Sequence, residues 1–169
     1  MAQSSIPDAA AGREDRKVLQ FVGFRLEDTD YGVAITRIRE IILMRPITRV
    51  PEVPEYIEGL INLRGTVIPV VNLRRRFGLP HRDFDEETRI IVATVDERVV
   101  GFVVDAVTQI MRVGSDLIQA APLAVASIDR RYIDGVARWE NWLLVLLNLD
   151  YLIDPRSTDG TMAPVEDRS

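Results

Sequence analysis

Few side chains in this sequence are equipped for covalent or acid–base chemistry. There is one histidine, His81, and no cysteine. His81 precedes Arg82 and Asp83 in a polar loop; a lone imidazole needs partners before it can hold a metal or relay protons. Without cysteine there is no thiol nucleophile, no disulfide and no Cys-based zinc site, which fits a reducing compartment. No serine stands in a nucleophile elbow, and no glycine loop is built to cradle phosphate. The carboxylates Asp83, Asp85, Glu86 and Glu87 lack the ligand spacing of an EF-hand and read as a solvated charge run. Arg74-Arg75-Arg76 reads as the exposed face of a helical turn. Phosphate or RNA contact is the alternative there, and no interleaved aromatic residues favour it. The expectation is a protein without catalysis and without a cofactor.

Two charges stand out by their apolar surroundings. Arg64 lies between Leu63 and Gly65 inside the oily stretch Tyr56 to Leu73. It is either a structural arginine at a turn or a partner contact, because the planar, weakly hydrated guanidinium is favoured at interfaces. Glu40 closes a stripe formed by Ile38, Ile41 and Ile42. It could pair with Arg64 or with a partner. Trp139 and Trp142 flank Glu140-Asn141 and would either cap a barrel mouth or supply an interface anchor.

The elements that must position these residues are mainly strands. Alternating, Val- and Phe-rich sequence predicts strands over Val18–Leu26 and Tyr31–Ile35, joined by the turn Glu27–Asp30. Thr36 reads as an N-cap for a short amphipathic helix carrying Ile38, Ile41 and Ile42. Pro46, Pro51 and Pro54 mark an irregular connector. Two strands joined by a glycine corner follow from Tyr56 to Leu73, then a helical turn over Arg74–Phe77. The pattern restarts with strands at Arg89–Val95 and Val99–Val104, a short helix at Ala106–Met111, a connector at Ser115–Ser127, and strands at Arg131–Trp139 and Leu143–Leu149. Asp150–Ile153 reads as a final turn.

That restart is an internal repeat. Gly32 falls on Gly101, Ile38 on Val107, Ile41 on Ile110 and Pro51 on Pro122. Tyr56, Ile57, Gly59, Asn72 and Leu73 fall on identical residues at Tyr132, Ile133, Gly135, Asn148 and Leu149. Arg64 and Gly65 do not recur; Glu140 and Asn141 stand there. Many short strands at regular spacing suggest small barrels, which hide strand edges by closing. Two lobes, roughly 17–85 and 86–154, would pack side by side and leave a groove. Val67–Leu73 and Leu143–Leu149 could each pair with the other lobe's sheet, which would intertwine the barrels.

The bulk properties agree with a soluble domain of 169 residues, 47% apolar and 28% charged. A net charge of −5 argues against a broad nucleic-acid footprint. No signal-peptide core and no apolar stretch of membrane-spanning length is present, so a cytoplasmic protein without membrane insertion is expected. Residues 1–16 and 155–169 are small and polar and are expected to be disordered tails.

Five stretches together resemble the CheW-type chemotaxis coupling proteins. They are Tyr31-Gly32-Val33, Ile38-Arg39-Glu40-Ile41, Glu58 through Gly65, Ile68-Pro69-Val70-Val71-Asn72-Leu73-Arg74, and Arg98 through Asp105. The resemblance runs in order from about Val18 to Asp154. It implies a mainly β fold of two five-stranded SH3-like barrels and no catalytic activity. It implies a scaffold that couples the cytoplasmic hairpin tip of a chemoreceptor to the regulatory domain of a chemotaxis histidine kinase, recruited to membrane-associated receptor arrays. On matching positions, receptor contacts would be Ile38, Glu40, Gly59, Asn62, Leu63 and Arg64. The kinase contact would lie on an exposed apolar edge around Val100, Gly101 and Val103. Asn72 stands where Asp is usual before Leu-Arg, Ala106 where Gly is common, and the Glu140-Asn141-Trp142 turn is bulkier than usual.

Overall fold

The structure is a computed structural model that describes residues 17–121, 130–139 and 141–153. The expected tails, Pro122 and Glu140 lie outside the described residues. The strands are β1 (Val18–Leu26), β2 (Thr29–Ala34), β3 (Ile38–Leu43), β4 (Ile57–Leu63), β5 (Thr66–Asn72), β6 (Arg89–Val95), β7 (Arg98–Val104), β8 (Ala106–Gly114), β9 (Ile118–Gln119), β10 (Ile133–Trp139) and β11 (Trp142–Leu147). A single turn of α-helix, α1 (Leu73–Arg76), follows β5, and short 3-10 turns fill other corners.

Both segments expected to be short helices are strands. Ile38–Leu43 forms β3, and Ala106–Met111 lies within β8. Thr36 sits inside a 3-10 turn whose N-cap is Ala34, so it caps no α-helix. The physical reason is visible in β3. Ile38, Glu40 and Ile42 are half-buried and Arg39, Ile41 and Leu43 exposed, a period of two. Branched isoleucines are stiff at χ1 and pack well on a pleated surface. β3 then finds a long-range partner in β6, and β8 finds one in β1. Three isoleucines at helical spacing fit either period over so short a run.

The strands form a six-stranded sheet ordered β8-β1-β2-β11-β10-β9 and a five-stranded sheet ordered β3-β6-β7-β5-β4. Each sheet draws on both repeats. The first hairpin of one repeat, β1–β2, is completed by β8 to β11 of the other, and β6–β7 is completed by β3 to β5. The registers match across the exchange. Phe21 pairs with Met111 as Ile42 pairs with Ile90, and Leu146 pairs with Gly32 as Val70 pairs with Gly101. Each sheet is spliced between repeats twice, by the antiparallel pairs β1–β8 and β3–β6 and by the parallel pairs β2–β11 and β5–β7.

The sheets are SH3-like in order but are not closed barrels. In the five-stranded sheet, the β3 and β4 edges are joined only through the connector, where Thr48 pairs with Leu60 in one bridge. Both bonds of that bridge, Thr48 N–H to Leu60 O and Leu60 N–H to Thr48 O, measure 2.8 Å. In the six-stranded sheet the same place is held by the two-residue β9, paired with Val136 and Ala137. Proline-bearing connectors cannot supply a full ladder of donors, so closure stops at these short contacts.

The largest core lies between the sheets. It includes Phe24, Leu26, Tyr31, Tyr56, Leu73, Phe77, Phe102 and Tyr132. A smaller core fills each sheet's concave face: Ile61, Leu63, Ile68, Val70, Ile90, Val92 and Val103 in one, and Phe21, Met111, Val113, Ala137, Leu144 and Leu146 in the other. Asn72 does two things at once. Its Oδ1 accepts from Arg75 N–H at 3.2 Å, capping α1, and its Nδ2 donates to Glu58 Oε1 at 3.1 Å. Asn148 repeats this with Asp150 N–H at 3.0 Å and Asp134 Oδ1 at 3.0 Å. A carboxylate could cap but could not donate to a second carboxylate.

Candidate partner-binding site

The unclosed seam between β3 and β4 gathers most of the expected receptor-side residues. The β4–β5 hairpin turns through Arg64 and Gly65, with φ of 53° and 90°. Both central residues have positive φ, the geometry that matches the twist of a two-residue hairpin. A non-glycine residue pays strain there, and Asn62 supports the turn by accepting Gly65 N–H on Oδ1 at 2.7 Å. The turn presents Arg64 outward, where its Nη2 donates to Glu40 Oε2 across the seam. Arg64 is mostly exposed and Glu40 half-buried.

The electrostatics follow from that geometry. The hydrogen bond from Arg64 holds the Glu40 carboxyl below its ordinary range, against a smaller opposing effect of desolvation. The positive charges of Arg64, Arg45 and Arg39 act in the same direction. Glu40 in turn raises the Arg64 guanidinium pKa. The pair is exposed to solvent, so it orients side chains more than it stabilises the fold.

Of the other expected residues, Asn62 is tied to this turn and Leu63 directly precedes Arg64, while Ile38 and Gly59 make no contact with the pair. Ile38 is half-buried against the core between the sheets. Asn62 is exposed on β4. Gly59 is buried, with φ of 153°, and a Cβ there would stand 2.3 Å from Thr48 O. Glycine is what allows the connector to reach β4. Leu63 belongs to the core of the five-stranded sheet. Sequence reasoning missed Arg45. Its Nη1 donates to Asn62 O at 3.2 Å, a further stitch across the seam. Leu43, Met44, Arg45, Pro46, Thr48, Leu60 and Asn62 line an open groove of about 590 Å³ beside it. The available signal was an arginine between Met44 and Pro46, directly after an apolar run.

The expected kinase-side residues are not an exposed edge. β7 is hydrogen-bonded on both sides, to β6 and to β5. Val100 and Val103 are buried, in the core between the sheets and in that of the five-stranded sheet respectively. A Cβ on Gly101 would meet Ile90 Cγ2 at 2.8 Å. Their apolar character serves packing, because the splice from β5 puts this hairpin at the centre of its sheet.

Other candidates have structural partners. Arg74 is buried and forms a fork onto Asp105, Nε to Oδ1 and Nη2 to Oδ2, both at 2.8 Å. Arg76 lies over the rings of Tyr56 and Tyr132 at 4.2 and 5.1 Å and donates from Nε to Leu152 O at 2.6 Å. Arg75 reaches Glu55 O at 3.4 Å. The three arginines thus engage three different sets of partners within the fold. Trp142 is half-buried against the core of the six-stranded sheet and donates from Nε1 to Asp30 Oδ2 at 2.7 Å, so it closes the mouth of that sheet. The side chain of Trp139 lies outside the described residues. Among the described residues His81 meets Asp83, at 2.9 Å on the surface. Among the described residues no cluster of His, Asp or Glu is arranged to hold a metal ion. No helix among them is long and apolar enough to cross a membrane.

Two intertwined, repeat-related β-sheets with a charged seam on one of them define a duplicated, mainly β fold. The CheW-like domain family model matches residues 20–156, and the chain belongs to that family. It is 37% identical over 131 residues to the chemotaxis protein CheW of Rhizobium meliloti, covering 78% of this chain and 84% of that one. It is 32% identical over 149 residues to the chemotaxis protein CheW of Helicobacter pylori, covering 86% and 90%. The crystal structure of the scaffolding protein TtCheW from Thermoanaerobacter tengcongensis superposes with a TM-score of 0.77 at 33% identity, covering 82% of this chain and 94% of that one.

Proposed function

We propose that this chain is a non-catalytic chemotaxis scaffold that couples the cytoplasmic hairpin tip of a chemoreceptor to the regulatory domain of a histidine kinase. The observation that carries the reading is the Arg64–Glu40 pair, held outward over the seam by a strained hairpin turn. Ile38 lies two residues before Glu40 on β3, Asn62 supports the turn, and Gly59 and Leu63 are buried on β4, which carries that turn. A helical hairpin would lay its apolar face along this edge, with the charged pair fixing register. The relatives named above are chemotaxis proteins, and the solved one is described as scaffolding. Such a scaffold works in the cytoplasm at receptor arrays and transmits signal by fixing the geometry between two partners.

The test is a pull-down with a receptor hairpin fragment. Arg64→Glu places like charges across the seam and loses the hairpin, while its circular-dichroism spectrum stays that of the parent. Retention of the hairpin at parental levels by a folded Arg64→Glu protein would remove Arg64 from the site.

A further inference from the structure

The groove beside the charged seam contains a cation whose bonding is incomplete. Arg45 Nη1 makes one long bond, 3.2 Å, to Asn62 O. Its Nε is shut off from solvent and has no acceptor among the described residues, where it is the one buried side-chain nitrogen or oxygen so placed. An arginine presents five donors in a rigid fork, and a buried donor left unpaired is costly. The resting position of this side chain is therefore a poor one. Little is lost when the guanidinium turns away from Asn62.

The surroundings say what it would turn toward. Leu43, Met44, Pro46 and Leu60 give the groove apolar walls, and Leu43 is 65% exposed. Three arginines, Arg39, Arg45 and Arg64, act on the single carboxylate of Glu40. Glu40 is already engaged by Arg64. The local charge is thus in positive excess, and Arg45 is the one of the three with a buried donor left unpaired. Asn62 belongs both to the groove and to the turn that presents Arg64, so the groove continues the candidate site.

We propose that Arg45 is a specificity-determining residue of the receptor site, taking a carboxylate from an acidic side chain of the docked hairpin whose apolar neighbours fill the groove. The inference rests on the receptor reading above and adds the chemistry that the hairpin must carry. A guanidinium fork and a carboxylate match bidentately, which a lysine could not reproduce. Partners that carry an amide or a cation at that place would leave the fork unpaired or repelled, and so be rejected.

The experiment uses the full chain and a soluble receptor hairpin fragment, with binding measured by calorimetry. Arg45→Gln and Arg45→Lys are compared with the parent, and each acidic residue of the hairpin is changed in turn to its amide. Arg45→Gln is expected to weaken binding about tenfold, the scale of one charge-assisted hydrogen-bond pair, and Arg45→Lys to recover only part of this. One hairpin amide variant should cost the parent the same factor and cost Arg45→Gln nothing further. Thermal melting of Arg45→Gln should match the parent. Parental affinity in Arg45→Gln, or losses that simply add for every hairpin carboxylate, would overturn the assignment of Arg45. If that occurs while Arg64→Glu still abolishes binding, the receptor reading stands alone. A hairpin that does not bind the parent protein overturns both.

Discussion

The two repeats put an ion pair at equivalent corners and reverse its polarity. Arg74 follows β5 and grips Asp105 at the start of β8's approach; Asp150 follows β11 and meets Arg37 at the approach to β3. Arg74 and Asp150 are repeat counterparts, and Arg37 stands next to Thr36, the counterpart of Asp105. The first pair is buried, each side chain 8% exposed, and elaborated: Arg74 also reaches Pro80 O at 2.6 Å and Glu27 Oε1 at 2.5 Å, and Asp105 accepts Glu27 N–H at 2.9 Å. The second is one 2.7 Å contact with side chains 31% and 55% exposed, extended only by Arg37 Nε donating to Thr94 O at 3.0 Å. The seams differ in the same way. Gln109 stands where Glu40 does, and Gly114 where Arg45 does. The duplicated backbone builds the scaffold twice, while each charged device was elaborated on one copy.

The strongest way to break this comparison is Asp105→Ala. It leaves the Arg74 charge buried without its main partner, and a loss of about 3–5 kcal/mol in chemical denaturation is expected. Asp150→Ala, at the equivalent exposed corner, should cost less than about 1 kcal/mol. Equal losses would mean that burial does not separate the two pairs.

The next effect concerns closure. Gly59→Ala drives a Cβ to 2.3 Å from Thr48 O at a positive φ, whereas Gly135→Ala meets Gln119 O at 2.9 Å. Costs of about 2–3 kcal/mol and about 1–2 kcal/mol are expected from the same melts. A larger loss at Gly135 would show that β9 is the tighter closure.

Acid should find the buried corner. Burial pushes the Asp105 carboxyl up, but the hydrogen bonds from Arg74 and Glu27 N–H and the charges of Arg74 and Arg82 outweigh it, so the folded pKa is lowered. A lowered folded pKa contributes stability that is full above the unfolded value of about 3.9 and is lost as pH falls through the folded value. Denaturation midpoints should therefore hold near neutrality and drop below about pH 4. Asp105→Asn should flatten that drop.

The smallest effect sharpens the seam comparison. Gln109→Glu recreates the Glu40 charge on the other sheet, where no counterpart of Arg45 stands. It should leave both stability and hairpin binding unchanged in the assays above. A gain in binding would place a second receptor site on the six-stranded sheet.

Much of the candidate site was legible locally. Arg64 announced itself as a charge in apolar sequence that the repeat does not preserve, and Glu40 as a charge in an isoleucine stripe. Their mutual contact was one of the alternatives, and geometry selected it. Arg45 was hidden because an arginine near prolines is ordinary, and its missing acceptor exists only once β3 and β4 face each other. Val100, Gly101 and Val103 were placed on an exposed edge by the resemblance alone, and neither it nor their apolar run says how many neighbours their strand has.

The sequence by itself determined the repeat, the hairpins β1–β2, β4–β5, β6–β7 and β10–β11, and the turn at Arg64 and Gly65. These depend on alternation, turn chemistry and residue type, all readable within a few positions. Tertiary structure alone decided that β3 and β8 are strands, that the repeats exchange halves, and which charges are buried. Arg64 meets Glu40 across 24 positions of chain and Arg74 meets Asp105 across 31. Contacts at that range are chosen by which sheet edges remain unpaired after the hairpins form, and no local pattern encodes that choice.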